Sequence, residues 1–173
     1  AAREGLPPNE IWELTNPMSR ELKHLRISLL PGLVTAAARN HHHGAPEVRL
    51  FEVGKVFRAV PRPLGFERWE ATLWLSGLAD PWNDPNPESD RYLELKGVVE
   101  AILEALGIDS ASARSYHEPC WKEGSGGSIF RAERRLARFG EVDPAFARSC
   151  GMDGRGWAAV FDVEALAAET PKS

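Results

Sequence analysis

His41, His42 and His43 stand in a row directly before Gly44, and imidazoles are the commonest metal ligands among side chains. Their spacing argues against a metal site. Adjacent residues of a helix point about 100° apart, so three consecutive histidines do not converge on one ion. They predict instead a solvated helix end, with imidazoles near the negative end of the helix dipole. Arginines are the next candidates. Arg58 closes a run rich in β-formers, and on residue type alone it reads as a surface strand residue. The alternative is anion binding, because a guanidinium is always charged and forks onto two oxygens at once. Arg131, Arg134, Arg135 and Arg138 cluster within one expected hairpin, which predicts a solvated basic surface ahead of a nucleic-acid site. The glycine-rich piece from Glu123 to Ser128 invites a phosphate-loop reading. It lacks the lysine and hydroxyl pair of a P-loop and leads into a strand, so nucleotide binding is not expected there. Cys120 and Cys150 have no second pair, which indicates free thiols ahead of a zinc cage or a disulfide framework.

The elements that must position these residues centre on Leu25 to Arg58. A short strand is expected around Leu25 to Ile27, followed by a helix opened by Pro31, with Ser28 as a possible cap. Leu30, Leu33, Val34, Ala37 and Ala38 recur at helical spacing, so one face should be buried. Val48 to Val53 and Lys55 to Val60 read as two strand segments meeting at a bulge or tight turn at Gly54. After the turn PRPLGF, Trp69, Ala71, Leu73 and Leu75 alternate with Glu70, Thr72, Trp74 and Ser76. That period predicts a half-buried antiparallel strand whose polar face could carry a substrate, or simply be covered by Trp74. A proline-broken loop ends at Ser89 and Asp90, candidate caps of a helix buried along Tyr92, Leu95, Val99, Ile102, Leu103 and Leu106 and stopped at Gly107. Strands are expected at Ala113 to His117, Ser128 to Ala132 and Arg135 to Val142. A short helix opens at Asp143 or Pro144, and a hairpin-like turn lies at Asp153 and Gly154. A last alternating strand through Trp157, Ala159, Phe161 and Val163 leads to a closing helical turn from Glu164 to Ala168.

With 173 residues and 43% hydrophobic content, the chain can bury one sizeable core. The expected division is a loose lead-in at 1–9, one domain at 10–168 and a tail at 169–173. A formal charge of −4 disfavours a domain whose main work is gripping a phosphate backbone. No apolar run approaches the ~20 residues a bilayer requires, so no membrane partner is expected and a cytoplasmic location is the default.

Long ordered motifs then become recognisable. NPMSRELKHLRISLLPGLVTAAARN, VRLFEVGKVFR, YLELKGVVEAILEALGI at 92–108 and FGEVDPAFARSCGMDGRGWAAVFDVEAL at 139–166 closely resemble the catalytic-like module of bacterial phenylalanine-tRNA ligase β chains. The resemblance runs from about Ile11 to Leu166 and implies an α+β fold of the class II aminoacyl-tRNA synthetase type, an antiparallel sheet flanked by helices. It also implies a module that keeps the fold without the chemistry, since the active site of that family lies in the α subunit. ATP and Mg2+ would then belong to the whole enzyme and not to this domain, which is expected to have no catalytic residue and no metal site. Its expected partners are the α subunit, in a heterotetramer, and tRNA through the whole enzyme.

The resemblance places Arg58 at the arginine of the second class II motif, as a vestigial cofactor-binding residue. Ala59, Val60 and Pro61 follow it where an acidic companion would stand. Ala165, in FDVEAL, falls where the third motif carries an arginine. KEGSGGS replaces the histidine-proline-glycine-arginine element common in related β chains. The first signature motif and the anticodon-binding-like domain are not in the sequence, which fits either a piece of a longer β chain or a short paralogue. Two other readings compete: a free-standing ATP-using ligase with altered motifs, and an RNA-binding module working alone.

Overall fold

The computed structural model describes residues 24–58, 66–77, 87–109, 111–115 and 118–171. The expectations for the lead-in, for a first strand at Glu10 to Leu14, for a helical turn at Ser19 to Leu22, for most of the turn PRPLGF and for the proline-broken loop up to residue 86 lie outside the described residues. Strand β1 (Glu47–Arg58) pairs antiparallel with β2 (Phe66–Gly77) in one unbroken register, from Glu47 opposite Gly77 to Arg58 opposite Phe66. Gly54 therefore makes neither bulge nor turn. It is glycine because the Arg26 guanidinium lies where a Cβ would project. That guanidinium donates to the Lys55 carbonyl through Nε at 2.8 Å and to Glu52 through Nη1 at 2.6 Å. The strand expected at Leu25 to Ile27 is likewise not regular: the Phe57 N–H donates to the Arg26 carbonyl at 2.8 Å, and the chain bends at Ile27 and again at Leu29.

The sheet has six antiparallel strands in the order β1-β2-β6-β5-β4-β3, with β3 (Ser112–Ser115), β4 (Trp121–Arg131), β5 (Arg134–Val142) and β6 (Gly156–Asp162). Helices α1 (Leu30–His42) and α3 (Pro144–Ser149) cover one face. Helices α2 (Pro87–Ala105) and α4 (Val163–Glu169) cover the other. Two cores result. One joins Leu30, Leu33, Val34, Ala37 and Ala38 of α1 to Val48, Trp74, Val142, Ala158 and Val160. The second joins Leu95, Val99 and Leu103 of α2 to Leu75, Phe139, Trp157, Ala159 and Phe161. This is the α+β arrangement expected from the sequence, and the five apolar residues expected on one face of α1 are all buried.

Several local expectations are corrected by this packing. On β2 the polar row is the inner one: Glu70, Thr72, Trp74 and Ser76 are at most 1% exposed, whereas Trp69 is 43% exposed. Alternation marks two faces, but it does not say which is buried when helices cover both. The row survives burial because its groups bond one another. Trp74 Nε1 donates to Ser76 Oγ at 2.8 Å, which lies 2.8 Å from His41 Nε2, while His41 Nδ1 lies 2.7 Å from the Ala45 carbonyl. His41 thus ties the end of α1 to the sheet, while His42 and His43 are exposed as expected. Ser89 and Asp90 fall inside α2, which begins at Pro87, so neither is its cap. The glycine-rich piece is part of β4, and Val163 begins α4 instead of ending β6. Asp153 and Gly154 connect α3 to β6 and turn no hairpin.

Two helix starts follow the expected chemistry more closely. Ser28 Oγ accepts the Leu30 N–H at 3.2 Å at the entry to α1, although the cap position itself is Leu29. Asp143 caps α3, its Oδ1 accepting the Ala145 and Phe146 N–H groups at 2.9 Å each. Gly107 ends the α2 region at φ +66°, a left-handed conformation that glycine adopts freely.

Candidate functional site

A polar cavity of about 240 Å3 opens on the face of the sheet that carries α1. Its charged lining comes from three strands: Arg68 and Glu70 from β2, Arg135 and Arg138 from β5, and Asp162 from the end of β6. Register explains most of this convergence. Glu70 stands opposite Asp162, and Val160 stands opposite both Thr72 and Arg138, so these side chains share one face. Arg135 joins them through an irregularity. Residues three apart on a regular strand point to opposite faces, but Phe130 pairs with Arg135 while Ile129 pairs with Ala137. Leu136 is therefore an extra residue, and the bulge returns Arg135 to the side of Arg138.

Each guanidinium meets a carboxylate. Arg68 lies 3.5 Å from Glu70 Oε2 through Nη2 and 3.5 Å from Asp162 Oδ2 through Nη1. The other oxygen of Glu70 accepts from Ser28 Oγ at 3.0 Å, the Leu29 N–H at 2.8 Å and Thr72 Oγ1 at 3.2 Å. Those three donors satisfy one oxygen of the buried side chain and lock the entry of α1 onto the sheet. Asp162 Oδ1 also accepts the Ala165 N–H at 2.9 Å and so caps α4. On the opposite wall, Arg135 Nη1 and Arg138 Nη1 donate to the two oxygens of Glu118, at 2.9 and 2.5 Å. Burial pushes the Glu118 carboxyl up, but the Arg138 and Arg135 guanidiniums outweigh it and hold the group below the usual carboxylate range.

Three arginines thus face three carboxylates, Glu70, Asp162 and Glu118. Among the described residues each of these guanidiniums is paired with a carboxylate. Among the described residues no cluster of His, Cys, Asp and Glu could hold a metal ion. Ala165 packs into the core on the α2 side, away from this cavity.

The structure separates the other residues singled out from the sequence. Arg58 ends β1 opposite Phe66, and its side chain lies outside the described residues. The arginine cluster is divided. Arg131 and Arg134 meet Glu169 at the end of α4, at 3.5 and 3.8 Å, whereas Arg135 and Arg138 meet Glu118. The solvated surface expected holds for Arg134, which is exposed, and not for Arg138, which is only 8% exposed. Glu118 escaped the sequence reading because it belongs to no periodic element. Arg68 and Glu70 lie on the row recognised as polar, and their buried pairing is what the alternation did not show.

The profile of the phenylalanyl tRNA synthetase beta chain CLM domain matches residues 3–163. Among curated proteins, the phenylalanine–tRNA ligase beta subunit of Cereibacter sphaeroides is 37% identical over 168 residues, covering 95% of this chain and 20% of that protein. The beta subunit of Novosphingobium aromaticivorans is 33% identical over 149 residues, covering 83% of this chain and 19% of the relative. The chain thus spans about a fifth of the length of the curated relatives it matches. A pyrrolysyl tRNA synthetase structure from Desulfitobacterium hafniense superposes with a TM-score of 0.68 at 19% identity, covering 91% of this chain and 51% of that one. At that identity the likeness shows the fold, which is of the class II synthetase type.

Proposed function

Since the chain belongs to the phenylalanyl-tRNA synthetase β chain CLM domain family, we propose that it serves as a non-catalytic synthetase-core module of a phenylalanine–tRNA ligase β subunit. Its work in this reading is structural: it supports a catalytic α subunit in a heteromeric enzyme that charges tRNA in the cytoplasm. The observation that carries the reading is the charge balance of the cavity. Adenylate formation requires cations held ready for phosphate charge, and here Arg68, Arg135 and Arg138 are matched by Glu70, Asp162 and Glu118. The same balance disfavours a free-standing ATP-using ligase. Arg58 is in this reading a vestigial anion contact, and Arg58→Ala is expected to leave assembly with the α subunit unchanged.

Two measurements test the proposal together. The chain alone should show phenylalanine-dependent ATP–pyrophosphate exchange no higher than a buffer blank, and co-expression with a phenylalanine–tRNA ligase α subunit should yield a complex that survives gel filtration. Exchange by the chain alone would overturn the non-catalytic reading, and no complex would overturn the supporting role. Among the described residues no helix is long and apolar enough to cross a membrane.

A further inference from the structure

β1 closes the sheet on one side, and among the described residues no strand lies against its outer edge. Arg26 occupies only the far end of that edge, where its Nε donates to the Lys55 carbonyl at 2.8 Å and its own carbonyl accepts the Phe57 N–H at 2.8 Å. Those two contacts also fix the direction of the peptide groups. Because these alternate along a strand, the N–H and C=O groups of Glu47, Arg49, Phe51 and Val53 point outward, as those of Lys55 and Phe57 do. The side chains on this stretch are apolar and uncovered. Of the large apolar residues exposed among those described, Phe51 is the most open, at 74%, and Val53 on the same face is 53% exposed. Phe51 stands opposite Leu73, Val53 opposite Ala71 and Lys55 opposite the exposed Trp69, so one apolar strip crosses both strands. An apolar cavity of about 160 Å3 lies beside Phe51, lined also by Leu73, Leu75, Leu95 and Val98. An open edge with apolar side chains is a template for another strand.

We propose that the β1 edge is a homodimer interface, to which a second copy of this chain adds its own β1 antiparallel about a two-fold axis through Leu50. The open stretch selects this occupant because it is complementary to itself. Arg26 closes the edge from Lys55 onward, so the free outward groups run from Glu47 to Val53, and Leu50 is their midpoint. Antiparallel pairing about that midpoint sets Glu47 opposite Val53 of the second copy, Arg49 opposite Phe51, Val48 opposite Glu52 and Leu50 opposite Leu50. No like charges meet. The two Leu50 side chains, each packed on its own α1 core, touch across the axis on the α1 face. On the other face each Phe51 ring lies against the Arg49 guanidinium of the second copy, at the rim of the cavity that Arg49 helps to line. An axis moved to Glu52 sets Glu52 against itself and Arg49 against Lys55, and repulsion disfavours it. Two-fold closure uses up both β1 edges at once. The opposite edge, β3, is only four residues long, a form that resists strand addition. The inference does not rest on the supporting role proposed above, since it concerns the chain with itself.

The test is the oligomeric state of the full chain, read by sedimentation equilibrium over a wide range of concentration. A monomer–dimer equilibrium is expected. Phe51→Lys should weaken it about tenfold or more, because a cation then faces Arg49 of the second copy in place of a ring. Val53→Pro removes an outward N–H while sparing the ladder to β2, and should weaken it likewise. Leu50→Cys should give a covalent dimer under mild oxidation, since residues paired on the axis bring their Cα atoms within disulfide reach. Lys55→Cys, which lies behind Arg26, and the parent chain should not. A chain that stays monomeric at every concentration overturns the proposal, as does a dimer that Phe51→Lys leaves unchanged or that Leu50→Cys does not link. A monomer that loses a phenylalanine–tRNA ligase α subunit on Phe51→Lys assigns the edge to that partner and equally overturns the second copy. Should Phe51→Lys fail to fold, Val53→Lys is judged by the same criteria. The exchange assay on the chain alone decides the non-catalytic reading separately, whatever the mass of the chain.

Discussion

Gly54 and Gly156 both occupy strands, yet the neighbours that exclude a side chain differ in kind. At Gly54 a Cβ would meet the Arg26 guanidinium, the far end of a flexible side chain. Gly54→Ala is therefore expected to displace Arg26 from Glu52 and Lys55 and to cost about 1 kcal/mol. At Gly156 a Cβ would strike the indole of Trp74, which is 0% exposed and cannot move aside. Gly156→Ala should cost about 3 kcal/mol, the upper end for overpacking, and urea denaturation of the two variants should rank them in that order. Glu118 supplies a prediction of a different type. Its folded pKa lies below the unfolded value, so the stability it contributes is fully present above the ordinary glutamate value, about 4.3, and is lost as pH falls through the lower folded value. Thermal melting in a falling pH series should show Glu118→Gln losing less stability than the parent chain over that acid range.

The elements differ in how openly the sequence announced them. Helix α1 was legible because its apolar residues keep helical spacing and Pro31 sits near its start, and α3 because Asp143 precedes Pro144. Asp143→Ala should cost about 1 kcal/mol by removing the acceptor of two N–H groups, visible as a lower urea midpoint with an unchanged slope. What stayed hidden has physical causes. Glu123 to Ser128 looked like a loop because glycines weaken strand propensity, yet Gly127 lies where a Cβ would press on Phe139 and Gly140 where one would meet the backbone of Ser125. Small residues there are what close strand approach demands, and β4 continues through them. The start of α2 was misplaced because helix propensity does not forbid Pro87 in a first turn. The candidate site was the least legible part. It depends on a bulge that changes which residues share a face and on an acid from a connection, and neither follows from local periodicity.

At the scale of the molecule, the sheet separates two cores, and its strands are unequal in what they bury. The residues of β3 are all exposed, whereas β6 is buried from Gly156 to Phe161 with a strand on either side. Hydrogen exchange should follow that gradient. Amides of β3 are expected to exchange through local opening, while those of β6 exchange only with global unfolding, so that denaturant accelerates the second set far more steeply. Uniform protection along the sheet would contradict it. The middle strand also limits how the chain can change over generations. Ala158 and Ala159 are each 0% exposed and belong to opposite cores. A codon that enlarges either one pushes a whole helical layer outward, so the protein is least forgiving of drift where its side chains are smallest.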